Sequence, residues 1–191
     1  MSDIAILKEM IKESATVPLE EEQNGKRLNY SVTLTEPQHN YDVTINGMPN
    51  DALIIVIKAD AFSAPTNIFT SSKGQCKRAD FIIIADTPTE KIIFCIEMKK
   101  TKDQKTKIIQ QLTGAKCFVE YCKEIGKSFW NRQDFLDNYQ YRFISIGHIR
   151  VPKGPTRSKP LTETHDHPDR MLIITNTNKL QFAHLIYGRK N

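Results

Sequence analysis

The chain has 191 residues, 39% hydrophobic and 26% charged, with a formal net charge of +5, which suits one α/β or α+β domain over residues 1–191 and leaves no room for two full domains. A mean hydropathy of −0.44 and the absence of any apolar run of bilayer length argue against a membrane protein. The opening residues mix Asp3, Lys8, Glu9, Lys12 and Glu13 among apolar side chains, unlike a secretory leader, so a cytoplasmic setting is expected.

Ile4, Leu7 and Ile11 recur at helical spacing behind Ser2 or Asp3 as a cap, which predicts a helix over residues 3–15, ended by Pro18 and the acidic run at 20–22. Leu28, Tyr30, Val32 and Leu34 alternate with polar residues, as do Tyr41, Val43 and Ile45, so two half-buried strands joined as a hairpin through residues 36–40 are predicted. The continuous apolar run 53–57 predicts a strand buried on both faces, and residues 61–75, rich in Ser, Thr, Pro and Gly, a loop. Residues 79–85 and 92–98 form a central hairpin across the turn chemistry of Thr87-Pro88-Thr89. From about residue 104 to 124 the period becomes helical, with Ile108, Leu112, Ala115, Val119 and Cys122 in one stripe and Ile109 and Phe118 beside it. Residues 142–149 predict another inner strand, and a basic, proline-rich loop then runs to Arg170. Residues 172–175 and 180–186 are expected as a last strand pair across an Asn-Thr-Asn turn.

The chemistry concentrates in the central hairpin. A register that sets Asp86 opposite Lys91 also sets Asp80 opposite Glu97, and alternation puts Glu97 and Lys99 on one face. Two adjacent carboxylates at an apolar sheet repel each other and resist desolvation, and a hard divalent cation is the natural remedy. The cation would activate a bound water and offset charge on a phosphate, with Lys99 as the electrostatic partner.

With Asp80, a gap, and then Glu97-Met98-Lys99 on the neighbouring strand, the sequence resembles the PD-(D/E)XK nuclease superfamily, the restriction endonuclease-like group. The match is good from about Asp80 to Tyr121, where the helix follows, and elsewhere holds only in outline. The resemblance implies an α/β fold with a central mixed β-sheet flanked by α-helices, and a Mg²⁺ or Mn²⁺ ion held by Asp80, Glu97 and the carbonyl of Met98. Lys99 would assist the attacking water. Activity would be phosphodiester hydrolysis, with DNA the expected substrate and restriction, repair or anti-phage defence the expected setting. A catalytically inactive nucleic-acid-binding or scaffolding member of the same fold is the alternative. Many relatives carry a glutamine on the following helix, for which Gln111, bordering the apolar stripe, is favoured over Gln110, although the tyrosine that sometimes follows four residues later is absent. Relatives also supply a glutamate from the first helix; Glu13 is the better candidate there than Glu9, but both lie off the apolar stripe, which favours a solvated face.

Basic residues gather in two places, Lys99, Lys100, Lys102, Lys105 and Lys107 after the Glu97 strand, and Arg150, Lys153, Arg157 and Lys159 in the proline-rich loop. Both suit a phosphate backbone, although a solvated helix start and a simple surface loop are the alternatives. With no helix-turn-helix or zinc finger in the chain, specificity is expected from a protein partner or homodimer, from DNA structure, or from the basic loops. Cys76, Cys95, Cys117 and Cys122 lack a CxxC pair and read as thiols. His165, His167, Asp166 and Asp169 read as surface residues, His148 as a satisfied imidazole, and Phe129, Trp130 and Phe135 as a packing cluster.

Overall fold

A computed structural model of the chain describes residues 1–24, 27–37, 41–99, 104–147, 164–175 and 177–188. Helix α1 spans Asp3–Met10, and strands β1 (Glu20–Asn24), β2 (Arg27–Glu36), β3 (Tyr41–Met48) and β4 (Ile54–Lys58) follow. Strands β5 (Phe81–Asp86) and β6 (Lys91–Lys99) precede the long helix α2 (Lys105–Phe129), and β7 (Gln140–Gly147), β8 (Leu172–Thr175), β9 (Lys179–Gln181) and helix α3 (Phe182–Tyr187) complete the fold.

The protein is an α/β structure with two mixed sheets rather than the single central sheet expected. One sheet has the order β4-β5-β6-β7-β8 and the other β1-β2-β3-β9. In the five-stranded sheet β4, β5 and β6 are antiparallel, and α2 carries the chain from β6 back to β7, which runs parallel to β6 as β8 does to β7.

Side-chain alternation splits this sheet between two cores. Ile82, Ile84, Ile93, Cys95 and Phe143 face α1 and α2, meeting Ile4, Leu7, Leu112, Ala115 and Val119. Ile83, Phe94, Ile96, Met98, Ile144 and Ile146 face the second sheet, meeting Val32, Leu34, Val43, Ile45 and Phe182. Full burial of each such aliphatic side chain stabilises by roughly 1.5–3 kcal/mol, so a sheet covered on both faces accounts for the nearly uninterrupted apolar strands.

All five residues of the expected helical stripe, Ile108, Leu112, Ala115, Val119 and Cys122, are buried, and α2 extends to Phe129. Ser2 caps α1 by accepting a hydrogen bond from the Ala5 amide.

Other expectations need correction. Helix α1 stops at Met10, because Ile11 turns to extended backbone and residues 13–15 form a separate 3-10 turn. The chain then runs along the outer edge of β4, where the Val17 amide donates to the Val56 carbonyl at 2.9 Å. The acidic run at 20–22 is part of β1, an exposed edge strand whose charges hide any alternation. Residues 172–175 and 180–186 are not a pair: β8 joins the five-stranded sheet, while β9 runs parallel to β3 in the other. The apolar residues after it, Phe182, Leu185 and Ile186, are at helical spacing and pack as α3. Among the described residues, no helix is long and apolar enough to cross a membrane.

Candidate active site

Strands β5 and β6 pair from Asp86↔Lys91 to Phe81↔Ile96, the register anticipated from the sequence. One step beyond, the strands part, and Asp80 is fixed from two sides. The Ala59 amide donates to its backbone carbonyl at 2.8 Å, prolonging the β4–β5 ladder. Its carboxylate Oδ2 accepts the Met98 amide of β6 at 2.6 Å, taking the place of a strand partner on β5.

The approach to Asp80 depends on a glycine. The backbone at Lys77 crosses α2 so closely at Gly114 that a Cβ there would stand 1.8 Å from the Lys77 carbonyl oxygen. A side chain at that position would push the segment, and with it Asp80, off the helix.

Alternation along β6 sends Met98 into the core beneath the second sheet and Cys95 into the core under α2, so Glu97 and Lys99 project toward α2. Glu97 is 0% exposed, an unusual position for a carboxylate. The Lys99 ammonium stands 2.5 Å from Glu97 Oε1. Gln111 of α2 also reaches the Glu97 carboxylate and favours its charged form. Neither Glu97 oxygen has a well-directed hydrogen-bond donor among the described residues.

The electrostatics follow from this burial. Desolvation, followed by the nearby charge of Asp80, pushes the Glu97 carboxyl up to about 8, against the opposing pull of Lys99 and Gln111. Asp80 is pushed up to about 6, again chiefly by desolvation, while the Met98 amide and Lys99 favour its ionised form and Glu36 and Asp60 oppose it. The two carboxyls titrate as a coupled pair, with a proton more readily kept on Glu97.

Asp80, Glu97, Lys99 and Gln111 thus come together at one end of the sheet, and Met98 is tied to them through its amide. Glu13 lies in an exposed turn and lines a groove with Lys8, Ile11 and Asp51. Lys105 and Lys107 are exposed at the start of α2. Lys100, Lys102, Arg150, Lys153, Arg157, Lys159 and His148 lie outside the described residues.

Three neighbours of the site escaped the sequence reading. Glu36, at the end of β2, and Asp60, in a turn after β4, are the acids that act on Asp80. Ser145 sits directly beside Glu97 in the β6–β7 ladder and is buried. Its signal was legible as the one hydroxyl in the apolar run Phe143–Ile146; Glu36 and Asp60 reach the site only through the tertiary fold.

Elsewhere, His165 is buried with Nε2 2.7 Å from the Leu185 carbonyl, a structural bond rather than a surface position. His167 pairs with Asp169 on the surface. Phe135 is buried, and Trp130 packs against the same core and donates to Glu9 at 3.1 Å, whereas Phe129 is exposed and stands apart from that cluster.

The donor set suits a hard cation. Two buried oxygens of Glu97 lack directed donors, and Asp80 keeps Oδ1 beside the Oδ2 that holds Met98. Among the described residues no three His, Cys, Asp or Glu side chains group as metal ligands, so an ion here would draw on two carboxylates plus backbone or water oxygens. That is the mixed, partly hydrated shell Mg²⁺ favours. Neither the family models, nor the curated proteins, nor the solved structures compared with this chain give a match.

Proposed function

We propose that this protein is a Mg²⁺- or Mn²⁺-dependent nuclease of the PD-(D/E)XK class that hydrolyses phosphodiester bonds, with DNA as its substrate. The observation that carries the reading is the pairing of Glu97, a fully buried carboxylate on the inner face of β6, with a second carboxylate, Asp80, beside the single ammonium of Lys99. Two buried or half-buried carboxylates face the one ammonium of Lys99, and a divalent cation would compensate the charge that remains. The order of elements also supports a restriction endonuclease-like core: α1, three antiparallel strands β4–β6, α2, and β7 parallel to β6.

Asp80, Glu97 and the Met98 carbonyl would hold the ion. When bound, it would lower the pKa of a coordinated water and offset charge on the scissile phosphate. Lys99 would set a positive charge beside the attacking water or a phosphate oxygen, and its contact with Glu97 keeps that charge in position. Gln111 restrains the Glu97 carboxylate from the helix side. Lys105 and Lys107 offer phosphate contacts at the adjoining end of α2, where lysine is otherwise disfavoured by the helix dipole.

The test is a cleavage panel of linear, nicked, supercoiled and single-stranded DNA and RNA in Mg²⁺, Mn²⁺ or EDTA, run with wild type, Asp80→Ala and Lys99→Ala. Metal-dependent cutting by wild type alone is expected. Equal cutting by the variants would end the assignment.

The Lys99 ammonium itself favours a second reading. At 2.5 Å from Glu97 Oε1 it neutralises a charge a cation would otherwise use, as an inactive nucleic-acid-binding or scaffolding member of the fold would require. Salt-sensitive DNA binding with no cleavage and no thermal shift on adding Mg²⁺ or Mn²⁺ would select that reading.

A further inference from the structure

Residues 61–78, which join β4 to Asp80, contain no acid and three bases, Lys73, Lys77 and Arg78, among Ser, Thr, Asn and Gln. The same segment leaves large apolar side chains in water. Phe62, Ile68 and Phe69 are 38%, 81% and 55% exposed. On α2, the Phe118 ring centroid lies 5.1 Å and that of Tyr121 6.4 Å from the centroid of Phe62, with the rings inclined at 51° and 45°. Tilted in this way the rings do not seal one another face to face, and Tyr121 remains 56% exposed.

The aromatic group adjoins the carboxylate centre. The Phe62 amide donates to the Ala59 carbonyl at 3.3 Å, and the Ala59 amide donates to the Asp80 carbonyl at 2.8 Å. Phe118 follows Gln111 by two helical turns on nearly the same side of α2, a separation of about 10 Å, or roughly three bases at the 3.4 Å stacking rise.

We propose that residues 61–78, together with Tyr121 and backed by Phe118, which packs against the core, form a platform on which unpaired nucleotides of a single nucleic-acid strand stack next to the carboxylate centre. The inference deepens the nuclease reading and rests on it for its placement, narrowing the substrate to nucleic acid with a single-stranded stretch. Exposed aromatic faces gain most from bases whose own faces are free; a duplex keeps those faces stacked and offers only edges and phosphates. The acid-free, basic segment fits the backbone of such a strand; of the acids at its margins, Asp60, Glu120 and Glu124, Glu120 accepts from Tyr141 and Glu124 is answered by Lys127 at 3.6 Å. An apolar peptide would use the aromatic side chains but not Lys73, Lys77 and Arg78.

The test separates binding from cutting. Fluorescence anisotropy in EDTA and low salt would use a labelled oligo-dT 20-mer, an oligo-U 20-mer and a 20-base-pair duplex against wild type, Phe62→Ala, Phe69→Ala, Tyr121→Ala and Tyr121→Phe, with the Tm of each protein measured. The expected result is that wild type binds at least one of the single strands, that the alanine variants weaken this binding by roughly 5- to 150-fold, and that duplex binding changes less than twofold. Tyr121→Phe should bind as wild type does. Should Phe62→Ala lower the Tm, the exposed Phe69→Ala and Tyr121→Ala decide the matter. Single-strand binding that is absent in wild type, or unchanged in the alanine variants, or abolished in step with duplex binding, overturns the platform. Aromatic-dependent strand binding by a protein that cuts nothing in any metal removes the nuclease reading and leaves the platform standing. Cleavage with unaltered strand binding in the variants removes the platform alone.

Discussion

The Met98 amide donates to Asp80 Oδ2 at 2.6 Å, so the carboxylate next to Glu97 is held by the backbone of the strand that carries Glu97. Position and charge at Asp80 can therefore be separated. Asp80→Asn keeps an oxygen able to accept from Met98 but loses the charge; its Tm should be no lower than that of wild type while metal-dependent cleavage falls at least about a hundredfold. Asp80→Ala leaves the Met98 amide without that acceptor and should lose both activity and about 1–3 kcal/mol of stability. Parallel melting and cleavage measurements check the split, and an active Asp80→Asn would contradict it.

Stability without divalent ions should fall as pH rises. Asp80 and Glu97, ordinarily near 3.9 and 4.3, are pushed up to about 6 and about 8 in the fold. Between the unfolded and folded values the native state holds more protons than the unfolded chain, so unfolding becomes easier with rising pH. The contribution is intact below about pH 4, declines through about pH 8 and then levels off. Glu97→Gln removes the larger part of this slope and should melt higher than wild type at pH 8 in EDTA. Melting curves from pH 5 to 9 would reveal it, and a variant that melts lower than wild type at pH 8 would refute the argument.

Magnesium should reverse that slope. An ion that binds the ionised pair must displace protons, so its stabilisation grows between pH 6 and pH 8. At a concentration a hundredfold above its Kd the ion adds about 2.7 kcal/mol, or roughly 5–10 °C in Tm for a chain of this size. Calorimetry in buffers of different ionisation enthalpy should detect the released protons. Asp80→Ala should show neither effect.

Gly114→Ala should damage the site from a distance. The added Cβ meets the Lys77 carbonyl at 1.8 Å, too close for any rotamer to relieve, since a methyl group has none. A loss of about 1–3 kcal/mol is expected, together with reduced cleavage as Asp80 shifts. Unchanged melting and cleavage would mean that this crossing is looser than its geometry indicates.

Replacing Lys105 and Lys107 by alanine should weaken DNA binding and flatten its salt dependence. Removing one phosphate-bound ammonium lowers the log–log salt slope by about 0.9 on duplex and 0.7 on a single strand. Titrations from 50 to 200 mM salt would show an unaltered slope if both lysines are merely solvated.

Much of the fold was legible because its signals were local and strong. The apolar runs of β4, β5 and β6 need both faces covered, and the stripe from Ile108 to Cys122 has one helical period, so type and position followed directly. The hairpin register followed from the short turn between Asp86 and Lys91, and with it the meeting of Asp80 and Glu97. What stayed hidden was set by distant partners. The acidic β1 is held by pairing with β2, and β9 by pairing with β3, and neither pairing is encoded within the strand itself. Glu36 and Asp60 illustrate the same limit at the site, since their effect on Asp80 arises from the stacking of the second sheet and from the turn after β4.

The parallel pairing of β9 with β3 has a bearing on how the protein comes into being. Asn46 donates to the Leu180 carbonyl at 3.4 Å across 134 positions of sequence. During translation the strands from β1 to β3 emerge early, yet one flank of their sheet stays open until residues 179–181 leave the ribosome, and α3 arrives later still. The apolar residues that β9 and α3 cover stay without those partners throughout that interval, so this sheet closes late although hairpins begin it.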